Sequence, residues 1–237
     1  MRPVSFQRNY VKHPAGSCLV SFGETRVLCT ASIERELPPH RRGSGGGWLG
    51  AEYSMLPGST SPRKRRDTTK PDGRSVEIQR LVGRSLRAAV DLDSLGEVSI
   101  QVDCDVLQAD GGTRTAAITG GFVALYDALT VLAAKNNVAA GPSKYLLGQV
   151  AAVSVGMVAG ELVVDLDYER DSKADVDMNV VMRLASSAQS GGSPAFIEVQ
   201  GTGEHGVFDR KALDRMLDGA QGAITELFIA QRKALGI

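Results

Sequence analysis

From Val98 to Val106, apolar Val98, Ile100, Val102, Cys104 and Val106 alternate with Ser99, Gln101, Asp103 and Asp105. A period of two puts the apolar set on one face of a half-buried strand. Past Gln108 the period changes: Ala116, Ile118, Val123, Leu125, Leu129 and Leu132 fit a helix that buries much of its circumference. Earlier in the chain, residues 17–22 and 26–33 are β-rich runs around Gly23-Glu24-Thr25, a hairpin signal, and a short strand is expected near residues 48–56. Val76, Leu81, Val82, Leu86, Ala89 and Val90 recur at helical spacing among Arg80, Arg84 and Arg87, which predicts an amphipathic helix with a basic face. Gly141-Pro142 breaks the pattern, and residues 150–158 and 162–168 predict a second hairpin through Ala159-Gly160. Residues 180–184 and 196–200 read as strands, and Asp209 caps a last amphipathic helix running to about Leu235. This order of elements indicates an α+β fold with mixed sheets rather than a regular βαβ series.

The strand-to-helix junction reads Gln108-Ala109-Asp110-Gly111-Gly112-Thr113-Arg114-Thr115-Ala116. Two glycines let backbone approach a ligand closely, and the first N–H groups of a helix have no partner inside it. The helix dipole favours an anion there, while Thr113 adds a hydroxyl and Arg114 a forked cation suited to phosphate. The same residues also fit a ligand-free turn in which Thr113 caps the helix and Arg114 is solvated. The sequence is neither the Walker motif nor the dinucleotide fingerprint. Arg74 starts its expected helix, where a cation gains nothing from the macrodipole, so a bound anion would account for its placement.

Two other stretches concentrate charge. Residues 57–73 carry Arg63, Lys64, Arg65, Arg66 and Lys70 among Ser, Thr, Gly and Pro, which predicts an exposed basic loop. Such a loop either draws in phosphates locally or is a solvated surface. Residues 165–179 include Asp165, Asp167, Glu169, Asp171, Asp175 and Asp177. Carboxylates separated by a loop can converge on Mg²⁺, which takes oxygen ligands from one or two carboxylates and from phosphate, or they can cap turns in a polar connection.

The length of 237 residues allows one large domain or two small lobes. Lys plus Arg and Asp plus Glu both total 27, so nucleic-acid binding needs locally clustered charge. Cys18, Cys29 and Cys104 are odd in number, lie on apolar strand patterns and lack C-x-x-C spacing, as reduced core thiols do. His13, His40 and His205 are too widely spaced to suggest a metal site and read as surface or structural residues. Trp48 either stacks on a base or anchors packing. No uninterrupted apolar run reaches the roughly 18 residues of a membrane span and the N-terminus lacks a signal-peptide core, so no membrane contact and a cytoplasmic location are expected.

Several ordered strings carry a resemblance: Leu28-Cys29-Thr30-Ala31-Ser32, Ala51-Glu52-Tyr53-Ser54-Met55-Leu56-Pro57, Gly73-Arg74-Ser75-Val76-Glu77-Ile78-Gln79-Arg80, the junction from Asp103 to Ala116, Asp175-Val176-Asp177-Met178-Asn179 and Glu198-Val199-Gln200-Gly201-Thr202. Together they resemble the ribonuclease PH family of phosphorolytic 3′-to-5′ exoribonucleases, from Arg2 to the C-terminus. The resemblance implies a single ribonuclease PH domain over residues 1–237, with a fold like the second domain of ribosomal protein S5, and a homohexamer built as a trimer of dimers. It assigns Arg74, Gly112, Thr113 and Arg114 to phosphate binding, Asp171 and Asp177 to a catalytic pair that holds Mg²⁺ or another divalent cation, and Arg63 and Arg66 to RNA binding. The implied reaction uses orthophosphate to release nucleoside 5′-diphosphates from the 3′ ends of precursor tRNA and other RNAs, and it runs in reverse.

Four departures accompany the resemblance. Gly58 stands where the family usually has arginine, the loop before Arg74 is shorter, and the 186–193 loop is longer. The sequence starts at Met1-Arg2-Pro3-Val4 without most of the family's N-terminal extension, a difference expected to bear on ring assembly. Two readings of other classes fit parts of the pattern. A non-catalytic RNA-binding ring subunit of an exosome-like assembly would be expected to have lost part of the set Arg74, Thr113, Arg114, Asp171 and Asp177. A small-molecule phosphotransferase leaves the basic loop unexplained.

Overall fold

The computed structural model describes residues 1–66, 72–186 and 192–237. Lys70 and most of the 186–193 loop lie outside the described residues. In the N-terminal half, β1 (Val4–Arg8), β2 (Gly16–Phe22), β3 (Thr25–Glu34), β4 (Trp48–Met55) and β5 (Ser99–Gln108) form a sheet in the order β1-β2-β3-β5-β4. β4 and β5 run parallel, while the other pairs are antiparallel, so the sheet is mixed. The alternation seen in the sequence is realised here. Cys29 pairs across from Cys104, and the face carrying Val27, Cys29, Val102, Cys104 and Val106 is buried. Against this half of the molecule lie α1 (Gly73–Arg87) and α2 (Thr113–Lys135).

The C-terminal half forms a second, antiparallel sheet. β6 (Gly148–Val158), β7 (Glu161–Val164), β8 (Val176–Ala185) and β9 (Ala195–Gly203) pair in the order β7-β6-β8-β9, with the short α3 (Tyr168–Asp171) between β7 and β8 and α4 (Arg210–Leu235) closing the chain. Helix α2 joins the two sheets in one core. Gly120 lies so close to the first sheet that a Cβ there would sit 2.4 Å from Val20 Cγ1, while Thr119 on the same helix bonds both Ala152 N and Ala152 O of β6. Fully buried Gln231 of α4 donates to Thr119 O and Val150 O, so α2, β6 and α4 share a satisfied polar staple inside the core.

Several expectations are corrected by this architecture. Helix α2 is long and apolar enough to cross a membrane by length and composition, which counting uninterrupted runs missed because Thr, Gly, Tyr and Asp interrupt it; 83% of its apolar window is buried within the fold, as in a core helix. The second arm of the later hairpin stops at Val164, because Asp165 takes a positive φ of 63° and turns the chain away. Strand β8 begins at Val176, so Asp177 is held on a strand and not in a loop. Val76 is exposed, and the basic face of α1 is partly engaged: Arg84 pairs with Glu198, and Arg87 donates to Leu49 O and lies over the Trp48 ring. Trp48 therefore anchors packing, with His40 edge-on at 4.8 Å. Asp209 does cap α4, accepting from Ala212 N at 2.7 Å. The three cysteines are free and buried, and burial pushes the Cys18 thiol up to about 12.

Candidate active site

The turn from β5 into α2 is fixed from several directions. Gly111 and Gly112 both have positive φ, and a Cβ on Gly111 would lie 2.4 Å from Leu166 O, so the turn packs directly on the turn that follows β7. Thr25 of β3 accepts from Asp110 N at 2.9 Å and donates to Gly111 O at 2.6 Å. Arg2 spans both turns: its backbone N, Nε and Nη2 reach the carboxylate of Asp165, and its Nη1 donates to Asp110 O. With the Asp165 side chain fully buried, this pair locks the two sheets' connections together.

Thr113 is the first helical residue, not the cap. Gly112 occupies the cap position with no side-chain bond, and the Thr113 hydroxyl instead meets Tyr53 OH at 2.8 Å. The capping reading of Thr113 is thus set aside by the geometry. Arg114 is not freely solvated either. Its Nη1 lies 3.3 Å from Gln200 Oε1 and 3.5 Å from Glu77 Oε1, and Gln200 Nε2 donates to Glu77 Oε1 at 3.2 Å. Residues from α1, α2 and β9 therefore meet around one guanidinium.

The facing wall comes from the second sheet. Asp167 caps α3 by accepting from Arg170 N at 2.9 Å, which sets the single turn that ends at Asp171. Asp177 sits on β8 between Gly156 of β6 and Thr202 of β9. Arg74, Gly112, Thr113, Arg114, Asp171 and Asp177 all line one open cleft of about 1180 Å³. Six positions predicted from separate stretches of sequence are brought together. Arg63 and Arg66 are exposed and do not line it, although Ser61 and Pro62 of the same segment do.

The carboxyls of Asp171 and Asp177 are held above the ordinary Asp range, first by desolvation and then by like charge, from Asp177 on Asp171 and from Glu204 on Asp177. Asp171 is exposed at the rim, yet the wall behind it removes enough solvent to make desolvation the leading cause. Arg74 and Arg114 act on both carboxyls in the opposite sense and partly offset that rise. Asp177 Oδ1 is buried without a hydrogen-bond partner among the described residues.

Sequence reasoning missed several members of this site. Glu204 and His205 line the cleft; His205 is exposed, as expected, and its place at the cleft has no signal in the sequence. Tyr53, Glu77 and Gln200 lie within the strings that carried the resemblance, but spacing held no signal that they converge on Thr113 and Arg114. Tyr168 also lines the cleft and is 67% exposed.

Two arginines near helix N-termini and two carboxyls with raised pKa line the same cleft, a combination suited to an anionic ligand. Residues 1–130 match domain 1, and residues 148–223 domain 2, of the 3′ exoribonuclease family. Ribonuclease PH of Synechococcus sp. is 55% identical over 237 residues, spanning 100% of this chain and 95% of that protein. Ribonuclease PH of Corynebacterium diphtheriae is also 55% identical, over 99% of this chain and 93% of that protein. The chain belongs to the 3′ exoribonuclease family, in its ribonuclease PH branch. Its activity is phosphate-dependent 3′-to-5′ exoribonuclease and nucleotidyltransferase chemistry, and the non-catalytic reading is not favoured. Solved structures share the fold: rice Rrp46 superposes with a TM-score of 0.75 at 17% identity over 99% of this chain and 95% of that one. A subunit of the Archaeoglobus fulgidus exosome with RNA bound to the active site gives 0.74 at 22%, over 95% and 87%.

Proposed function

We propose that this chain trims precursor tRNA 3′ ends, with Arg74, Gly112, Thr113 and Arg114 seating orthophosphate and Asp171 and Asp177 serving the leaving oxygen. The observation that carries the reading is the convergence of those six residues on one cleft, where Arg74 and Arg114 act electrostatically on both carboxyls. An oxygen of orthophosphate attacks the phosphorus of the last phosphodiester. A new P–O bond forms as the bond to the 3′-oxygen breaks, and that oxygen leaves with a proton on the shortened RNA. The product is a nucleoside 5′-diphosphate. Nucleophile and target are both anionic, so Arg74 and Arg114 must hold them in line against their repulsion. Bonds of like kind are made and broken, so excess nucleoside diphosphate extends RNA.

A divalent cation, Mg²⁺ above others, suits the acid side. Among the described residues no group of three or more His, Cys, Asp or Glu is arranged around a metal. Mg²⁺ needs no such cage: it commonly takes one or two carboxylates plus phosphate oxygens and water, and the unpartnered Asp177 Oδ1 is a suitable donor. Asp171 and Asp177 would hold it, and bound there it would supply charge neutralisation for the transferring group. Asp177 lies deeper and is the better placed of the two to manage charge at the leaving oxygen.

Arg63 and Arg66 would contact phosphates of the tRNA acceptor stem as its 3′ end enters, a role supported by their exposure beside cleft-lining Ser61 and Pro62. The proposal includes a cytoplasmic homohexamer. Free, buried thiols suit a reducing compartment, and β9 is a sheet edge presenting exposed Phe196 and Val199, a surface suited to self-association. Incubation of a precursor tRNA with orthophosphate and Mg²⁺ should shorten it with one nucleoside diphosphate released per nucleotide lost. If unstructured RNA were consumed while precursor tRNA stayed intact, the substrate assignment would fall.

A further inference from the structure

Tyr53 lies below the phosphate turn and does not line the cleft, yet it is joined to it. Its hydroxyl is 2.8 Å from Thr113 Oγ1, and both residues are buried, at 5% and 8% exposure. Strand β4 brings it there, with Tyr53 aligned beside Cys104 of β5 and Met55 reaching the cleft wall two residues on. Each hydroxyl carries one hydrogen, and neither makes another hydrogen bond among the described residues. The direction of this one bond therefore decides what the cleft sees.

If Thr113 donated to Tyr53, the threonine oxygen would present only lone pairs to an arriving anion. If Tyr53 donates, the Thr113 hydrogen is left for the ligand. We propose that Tyr53 is a positioning residue whose O–H donates to Thr113 Oγ1 and so turns the Thr113 O–H toward bound orthophosphate; this rests on the phosphate reading of the turn. Two hydroxyls in series polarise one another, which strengthens the terminal donor where charge is concentrated. Burial pushes the Tyr53 phenol above its ordinary value, against the opposing pull of its Thr113 bond and of Arg74 and Arg114, and this keeps the donor protonated. The absence of a helix-capping bond at Thr113 fits the same arrangement, since its oxygen is free to accept from below.

The test is steady-state phosphorolysis of a labelled RNA at varied orthophosphate, with wild type, Tyr53→Phe, Thr113→Val and the double variant. Loss of one hydrogen bond predicts a phosphate KM raised about three- to tenfold in Tyr53→Phe, with the RNA KM unmoved. Thr113→Val should raise the phosphate KM at least as much, and adding Tyr53→Phe to it should do nothing further, because the relay ends at the missing hydroxyl. In a Thr113→Ser background, which keeps the hydroxyl, Tyr53→Phe should again raise the phosphate KM. A wild-type phosphate KM in Tyr53→Phe, multiplicative effects in the double variant, or equal shifts in phosphate and RNA KM with a lowered Tm would each overturn the relay. Wild-type enzyme that releases no nucleoside diphosphate in response to phosphate would overturn the underlying site reading as well.

Discussion

The turn from β5 into α2 and the basic segment at residues 60–66 both carry cations, and both are proposed to meet phosphate, but they are built in opposite ways. In the turn almost every group is tied: Asp110 and Gly111 to Thr25, Asp110 to Arg2, Thr113 to Tyr53, and Arg114 to Glu77 and Gln200. In the basic segment Lys64 pairs with Asp72 and donates its backbone N–H to Pro57 O, while Arg63, Arg65 and Arg66 stand exposed. The contrast fits the tasks proposed for the two regions. A nucleophile must be held in one line of attack, where small misplacement is costly, whereas steering an RNA stem needs charge near phosphates in no single geometry. Damage to the turn should therefore appear in catalysis and folding, and damage to the segment in RNA affinity and its salt dependence.

The largest expected effect lies opposite the turn. Asp177→Asn should lower single-turnover cleavage by about 10²–10⁴-fold with tRNA binding retained, as loss of a group acting on the leaving oxygen predicts. Near-normal turnover would place that role elsewhere. Next comes the tie beneath the turn. Arg2→Ala leaves the buried Asp165 carboxylate uncompensated, and denaturant unfolding should show a loss of roughly 3–5 kcal/mol, which no single change among Arg63, Arg65 and Arg66 should approach. Arg114→Ala removes a charge-assisted contact and should raise the phosphate KM by about 10–100-fold while sparing tRNA affinity.

Smaller effects sharpen the other side of the comparison. Arg63→Ala with Arg66→Ala should weaken tRNA binding and lower the slope of log affinity against log salt by about one unit per arginine that contacts phosphate. An unchanged slope would return the segment to solvated surface. The smallest effect concerns stability. Because the folded-state pKa of Asp171 is raised, the folded state binds more protons than the unfolded one as pH rises from the ordinary Asp value through the raised one, and stability declines across that window. Asp171→Asn should make that decline shallower, the raised Asp177 still contributing, and leave the fold slightly more stable at neutral pH, measured by Tm against pH.

What the sequence made legible was what is local. Period-two alternation in β5, the glycine pair, the Asp209 cap and the basic segment are all written within a few residues of one another. What it hid depends on contacts between distant segments. Tyr53 and Thr113 are 60 positions apart and Arg2 and Asp165 are 163 apart, and neither pair has a signature in spacing. Thr113 looked like a cap because capping is the local use of a threonine before a helix; a buried phenol from another strand took its oxygen instead. Asp177 looked like a loop carboxylate because polar residues surround it in sequence, although β8 pairs on both sides through that position. His205 is exposed, as its sequence reading expected, yet it also lines the cleft, and nothing local in the sequence announces that.

The central claim is that orthophosphate seated on Arg74, Thr113 and Arg114 is the nucleophile, and it is tested most directly by following the nucleophile itself. Precursor tRNA should be cleaved in radiolabelled orthophosphate with Mg²⁺, and the released nucleotides separated. Label should enter the terminal phosphate of nucleoside diphosphates, and Arg114→Ala should reduce this incorporation at limiting phosphate. Release of unlabelled nucleoside monophosphates at the same rate with or without phosphate would mean that water is the nucleophile, and would contradict the account.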